Sequence, residues 1–150
     1  LAASLQLTCT YDPINPTGAE TVRLRRVTAD WGESTSNGGI GGGGAAAAGD
    51  ATWTSSFFGS TAWGTAGGDF SATITQSTTV DTAGAYTWAD GATMRSNVQL
   101  WLDTPSSNHG WILRANETLT QRSAKVFGSR TNATAASRPK LTITYRPPLD

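Results

Sequence analysis

Charge is scarce in this chain. Only 15% of its 150 residues are Asp, Glu, Lys or Arg, against about 25% in an ordinary soluble domain. Eleven basic residues balance eleven acidic ones, so the formal net charge is zero. That balance argues against nucleic acid as a partner, because phosphate recognition rests on an excess of Lys and Arg. It argues equally against polybasic attachment to a membrane surface. Cys9 is the only cysteine, which excludes an internal disulfide; within its alternating run it reads as a small buried apolar residue. One Cys and one His also exclude a zinc site. No apolar run is long enough to cross a bilayer as a helix, and no basic, then apolar, leader is present. The chain opens inside a strand-like run, so it reads as a piece of a longer or processed polypeptide.

What is abundant is Gly, Ser, Thr and Ala, the balance of a strand-and-loop protein rather than a helical one. Leu5, Leu7, Cys9 and Tyr11 alternate with Gln6, Thr8 and Thr10, the period of a half-buried strand. Asp12-Pro13, Asn15-Pro16 and Thr17-Gly18 mark a turn. Val22 and Leu24 alternate with Arg23 and Arg25 in a second strand running into Val27, and the two strands are expected to pair as antiparallel neighbours. Further short β-type runs lie at Thr52 to Phe58, Phe70 to Thr75, Tyr86 to Trp88, Trp111 to Leu113 and Leu141 to Tyr145. One segment reads as helix: between Thr93 and Asp103, Met94, Val98, Trp101 and Leu102 form one apolar stripe, and Thr104-Pro105 ends it.

From Gly38 to Gly49 the chain is nearly all Gly and Ala. Six glycines among seven residues (Gly38, Gly39 and Gly41 to Gly44) disfavour a regular element on entropic grounds. Ala45, rather than a Lys-Ser or Lys-Thr pair, follows them, which removes the phosphate-loop reading. A long surface loop is expected. Many short strands, one helix and this loop predict an all-β, antiparallel jelly-roll β-sandwich occupying residues 1–150 as one domain.

Catalytic constellations are thin. The lone His109 sits in a Ser-Ser-Asn-His-Gly turn, and no Gly-x-Ser-x-Gly elbow accompanies it. Asp30 and Glu33 are the closest acidic pair considered for glycoside hydrolysis, but Asp30 stands at a strand-to-loop junction, where a carboxylate commonly holds backbone amides. The chain is therefore read as non-catalytic.

Several clusters, taken in order, resemble a known family. They are Val27-Thr28-Ala29-Asp30-Trp31-Gly32-Glu33, then Gly49-Asp50-Ala51-Thr52-Trp53, then Gly67-Gly68-Asp69-Phe70. Val98 to Asp103, Asn108-His109-Gly110-Trp111-Ile112-Leu113, Ser123 to Phe127 and Arg138 to Tyr145 complete the set. The order resembles the bacterial extracellular family named for its DNRLRE signature, which overlaps the alginate-type carbohydrate-binding modules. The resemblance covers roughly Val22 onward. It implies a secreted jelly roll within a larger surface or polysaccharide-degrading protein, with Trp31 and Trp53 as core anchors. It also implies several strands ahead of the one matching Leu5 to Tyr11. Without them, sheet edges stand open, and the missing strands are expected either from the rest of the same polypeptide or from a neighbouring chain that donates one.

Two functions follow as expectations. One is a structural or adhesive building block of a bacterial surface protein or fibre, joined through an open sheet edge. The alternative is a carbohydrate-binding module with a polysaccharide partner. Flat aromatic faces stack on sugar rings, and Trp63, Trp88 and Tyr86 are the aromatics least clearly committed to the core. For an acidic polysaccharide the basic set is modest: Arg23, Arg25, Arg26 and Lys125. No cofactor is expected beyond a candidate structural calcium, for which Asp30, Glu33, Asp50 and Asp69 lie beside converging loops. Asn116 and Asn132 open glycosylation triplets, for which unmodified loops are the favoured reading. The expected location is extracellular or at the cell surface.

Overall fold

The computed structural model describes residues 1–11, 19–37, 43–116 and 124–146. The turn expected at Asp12 to Gly18 and the first five residues of the Gly/Ala stretch lie outside these. The protein is mainly β, with antiparallel sheets and one α-helix.

Strand β1 (Ala2–Tyr11) is the axis of the first sheet. Alternation decides its faces: Ala3, Leu7 and Cys9 are buried and Leu5 packs against them, while Ser4, Gln6, Thr8 and Thr10 take the other side. The strand runs three residues further toward the N-terminus than its apolar pattern suggested. On one side it pairs with β6 (Gly84–Trp88), placing Leu5 opposite Trp88 and Leu7 opposite Tyr86. On the other it pairs with β8 (Val126–Phe127) and β9 (Lys140–Thr144).

Strand β2 (Glu20–Val27) belongs to a different sheet, between β5 (Phe70–Val80) and β7 (Trp111–Arg114). This corrects the expectation that the first two strands pair. Their patterns are alike because each buries one face, and a period of two cannot say which partners a strand takes. A small third sheet joins β3 (Ser55–Phe57) to β4 (Thr61–Ala62). Close packing in this loop region requires glycine at Gly32, where a β-carbon would collide with the Gly49 carbonyl.

One core draws on both larger sheets and the helix. Leu7 and Cys9 from β1, Val22 and Leu24 from β2, Val80 from β5 and Trp88 from β6 meet Met94, Val98 and Trp101 of α1 (Ala92–Asp103). Trp88 is fully buried, and its Nε1 donates to the Val22 carbonyl at 2.9 Å, tying one sheet to the other. The helix ends at Thr104 before Pro105, as the proline dictates. Its stripe is narrower than the sequence suggested: Leu102 is 61% exposed, and Asn97 takes the buried place instead. Asn97 is held by a polar cluster. With its amide oriented to satisfy its neighbours, it accepts from Trp111 Nε1 at 3.0 Å and Thr75 Oγ1 at 2.8 Å and donates to the Thr93 carbonyl at 3.3 Å. Buried polar groups are normally satisfied in this way.

The chain crosses from the second sheet to the first through the turn between β5 and β6. There Thr78 Oγ1 donates to the Thr87 carbonyl at 2.7 Å and Gln76 Nε2 to the Ala89 carbonyl at 3.0 Å. This side of the molecule is closed by side chains.

Candidate functional site

The side bearing β9 is different. Leu141 pairs with Leu5 and Ile143 with Ala3, so both point to the core-facing side of their sheet. Yet they are 44% and 40% exposed. Among the described residues β9 pairs with β1 alone. Leu102 of α1 adds to the same surface, which surrounds a groove of about 710 Å³ lined by Leu1, Leu102, Ile143 and Tyr145 among others. Tyr145 is 71% exposed. An apolar, inward-directed strand face beside an open backbone edge is a template for another strand.

A second feature lies on the outer face of the β2-β5-β7 sheet. Val27, Phe70 and Ile112 floor a cleft of about 290 Å³, and Trp31 and Trp63 from the covering loops line it. Trp31 Nε1 donates to the His109 carbonyl at 2.8 Å, and Trp63 Nε1 donates to the Thr52 carbonyl at 2.9 Å. Phe70 is flanked by Arg114, 4.8 Å from the ring centroid, and Arg25 at 5.8 Å. Both distances are within the reach of a cation–π contact.

Of the three aromatic ligand candidates, only Trp63 lines this cleft. Trp88 is buried at 0% exposure in the core, so its ring has no free face for a ligand; this corrects its selection. Tyr86 packs on the core, and its hydroxyl accepts from the Asp81 and Thr82 amides and donates to the Thr82 carbonyl. It fastens a turn and does not line the cleft. Conversely, Trp31 and Trp53, expected as core anchors, are 42% and 58% exposed. Trp31 lines the cleft and the Trp53 ring lies beside Gly67, and a tryptophan beside small residues looks the same in sequence whether it anchors a core or covers its edge.

The four carboxylates proposed for calcium are not brought together. Among the described residues no group of three or more Asp, Glu, His or Cys side chains is placed to hold a metal. Asp50 accepts from the Ser34 amide at 2.9 Å and the Ala47 amide at 2.6 Å. A hydrogen bond from the Ser36 side chain, with those amides and against the opposing effect of burial, holds its carboxyl below the usual range. Asp69 accepts from the Gly64 and Thr65 amides at 2.8 and 3.0 Å. Glu33 pairs with Arg130 at 3.1 Å, and Asp30 lies 3.6 Å from His109 Nδ1 and accepts from the Trp31 amide. Asp50 and Asp69 each hold amides of their own loop, Asp30 holds the next amide, and Glu33 reaches a distant arginine, so each has a partner other than a shared cation.

Asn116 is exposed at the edge of the described residues. Asn132 is half-buried, and its Oδ1 accepts from the Thr134 amide at 2.9 Å. That is the local bond of an Asx turn.

No family model, no curated protein and no solved structure matches this chain.

Proposed function

We propose that this chain is a non-catalytic, jelly-roll β-sandwich module of a bacterial extracellular protein, a structural or adhesive building block that joins neighbouring copies by accepting a strand at β9. The observation that carries the reading is the exposure of Leu141 and Ile143, 44% and 40%, in register with Leu5, which packs against the core, and Ala3 within it. A strand laid along β9 takes up its outward backbone groups, and its apolar side chains cover Leu141, Ile143 and Leu102. Covering what is left open on each aliphatic side chain contributes roughly 1 kcal/mol, and the new ladder supplies affinity through main-chain hydrogen bonds. The sandwich architecture is supported by the Trp88–Val22 bond between sheets and by their shared core. The zero net charge suits a subunit packed against copies of itself, since no long-range repulsion opposes approach.

Light scattering behind size exclusion, over a concentration series of the chain and of Ile143→Lys, tests this. Concentration-dependent oligomers for the native sequence and monomers for the variant are expected. A folded monomer at every concentration overturns strand exchange between copies.

A further inference from the structure

We propose that the cleft between Trp31 and Trp63 on the outer face of the β2-β5-β7 sheet is a binding site for a neutral pyranoside, a function separate from assembly at β9.

The aromatic walls are pre-organised. Both indole N–H groups are spent on carbonyls, Trp31 on His109 and Trp63 on Thr52. Those bonds fix the rings in place and leave their apolar surface as the remaining means of contact. A ring so fixed loses little conformational freedom on binding, and the axial C–H face of a sugar is the polyhydroxyl surface that suits it. The floor is built for close approach. Gly67 and Gly68 hold φ of +93° and +111°, a region side chains disfavour. A β-carbon at Gly68 would lie 3.4 Å from Ile112 Cδ1 and 3.7 Å from Phe70 Cδ1, so the glycine keeps this space clear.

The cleft adjoins a polar trough of about 490 Å³ that shares Gly68, Asp69 and Phe70 with it and adds Thr28 and Thr65. An apolar chamber beside hydroxyl and carboxylate groups matches a ring with one stacking face and a hydroxylated rim. Each Asp69 oxygen accepts one amide bond and keeps a lone pair for a sugar hydroxyl. The cleft's volume of about 290 Å³ suits one ring at a time of a longer chain. It stands at the small end of the range for ligand sites.

Charge selects neutrality. The Asp69 carboxylate at the rim disfavours a uronate or other anion. Arg25 and Arg114, both over the Phe70 ring, disfavour a cation such as a quaternary ammonium group. Arg25 is already engaged, because its Nη1 donates to the Ser71 carbonyl at 3.2 Å and to the Ala72 carbonyl. Of the basic residues that an acidic polysaccharide would use, Arg25 is thus committed to the protein's own ring and backbone.

The test is calorimetric titration with β-1,4-linked hexasaccharides of glucose, xylose, mannose and N-acetylglucosamine. A mannuronate hexamer and choline serve as charged comparators. At least one neutral oligosaccharide is expected to bind and to shield tryptophan fluorescence from acrylamide. Trp31→Ala and Trp63→Ala should each weaken it about tenfold or more. Gly68→Ala, which narrows the floor without removing a ring, should also weaken it, and Ile143→Lys should leave it unchanged. Near-UV circular dichroism separates lost contact from lost fold, and shielding in the native chain stands whatever the variants do. The proposal is overturned if no neutral sugar binds, if a charged comparator binds more tightly, or if binding survives in all three folded cleft variants.

Discussion

The two edges of the sheet built on β1 are made from similar sequence and end differently. At one edge, β6 is finished: Trp88 is fully buried, and the side chains of Thr78 and Gln76 bond the carbonyls of Thr87 and Ala89. At the other, β9 carries the same apolar alternation in Leu141 and Ile143, with their inward faces partly bare. An inward-pointing residue is stabilising only to the extent that something lies over it. The difference between the edges is therefore a difference in cover, and the uncovered face at β9 is where the proposed assembly would add a strand.

The comparison can be broken first at its strong end. Trp88→Ala removes the largest core side chain and the bond to Val22. It is expected to cost about 3–5 kcal/mol in a urea-unfolding measurement. A loss comparable to that of a surface substitution would mean that the β6 side is no better closed than the β9 side. Asn97→Ala strips Trp111 and Thr75 of their shared partner beneath the helix. That change should cost about 1–3 kcal/mol by the same method.

Acid should act on the closed side too. The Arg95 guanidinium bonds both oxygens of Asp90 at 3.0 Å, and the Ala3 amide donates to it at 2.9 Å. Together they hold the Asp90 carboxyl below its ordinary range, with Arg95 the larger cause. A carboxyl whose folded pKa is depressed stabilises the fold fully above its unfolded value of about 3.9 and loses that contribution as pH falls through the folded one. The melting temperature should therefore drop below about pH 4, and Asp90→Asn should flatten part of that drop while lowering the plateau at neutral pH. An unchanged acid limb would remove this anchor from the account.

The smallest effect is expected at the open edge. Ile143→Lys should change the stability of the monomer by no more than about 0.5 kcal/mol, in the range of ordinary surface substitutions, while abolishing association. A loss as large as that of Trp88→Ala would show that Ile143 is covered within the monomer.

Much of the local structure was legible in the sequence because it follows from near-neighbour pattern. The Leu5-to-Cys9 alternation and the helix ending before Pro105 appear where the period places them, and the strand expected at Leu141 to Tyr145 runs Lys140–Thr144. Strand partners were not legible, since β1 and β2 carry the same alternation yet lie in different sheets. Two-residue strands such as β4 and β8 are too short to show a period at all. Trp63, set among small residues, lines the cleft, as does Trp31, whose motif reads as a core anchor, while Trp88 is wholly buried. Indole burial depends on what packs over it from distant segments: the Trp88 bond to Val22 spans sixty-six residues, and that of Trp31 to His109 spans seventy-eight. The four acidic residues were correctly read as loop residues, and the error lay in gathering them. Turn geometry gives Asp50 and Asp69 amide partners of their own, and Glu33 pairs with the distant Arg130.

Residue-resolved amide hydrogen exchange, compared between dilute and concentrated protein, tests the central claim most directly. Strand addition predicts new protection on concentration, centred on residues 140–144, with the amides of β6 unchanged. Protection that instead arises at β7 or across the outer face of the β2-β5-β7 sheet, leaving β9 as open as before, would contradict it.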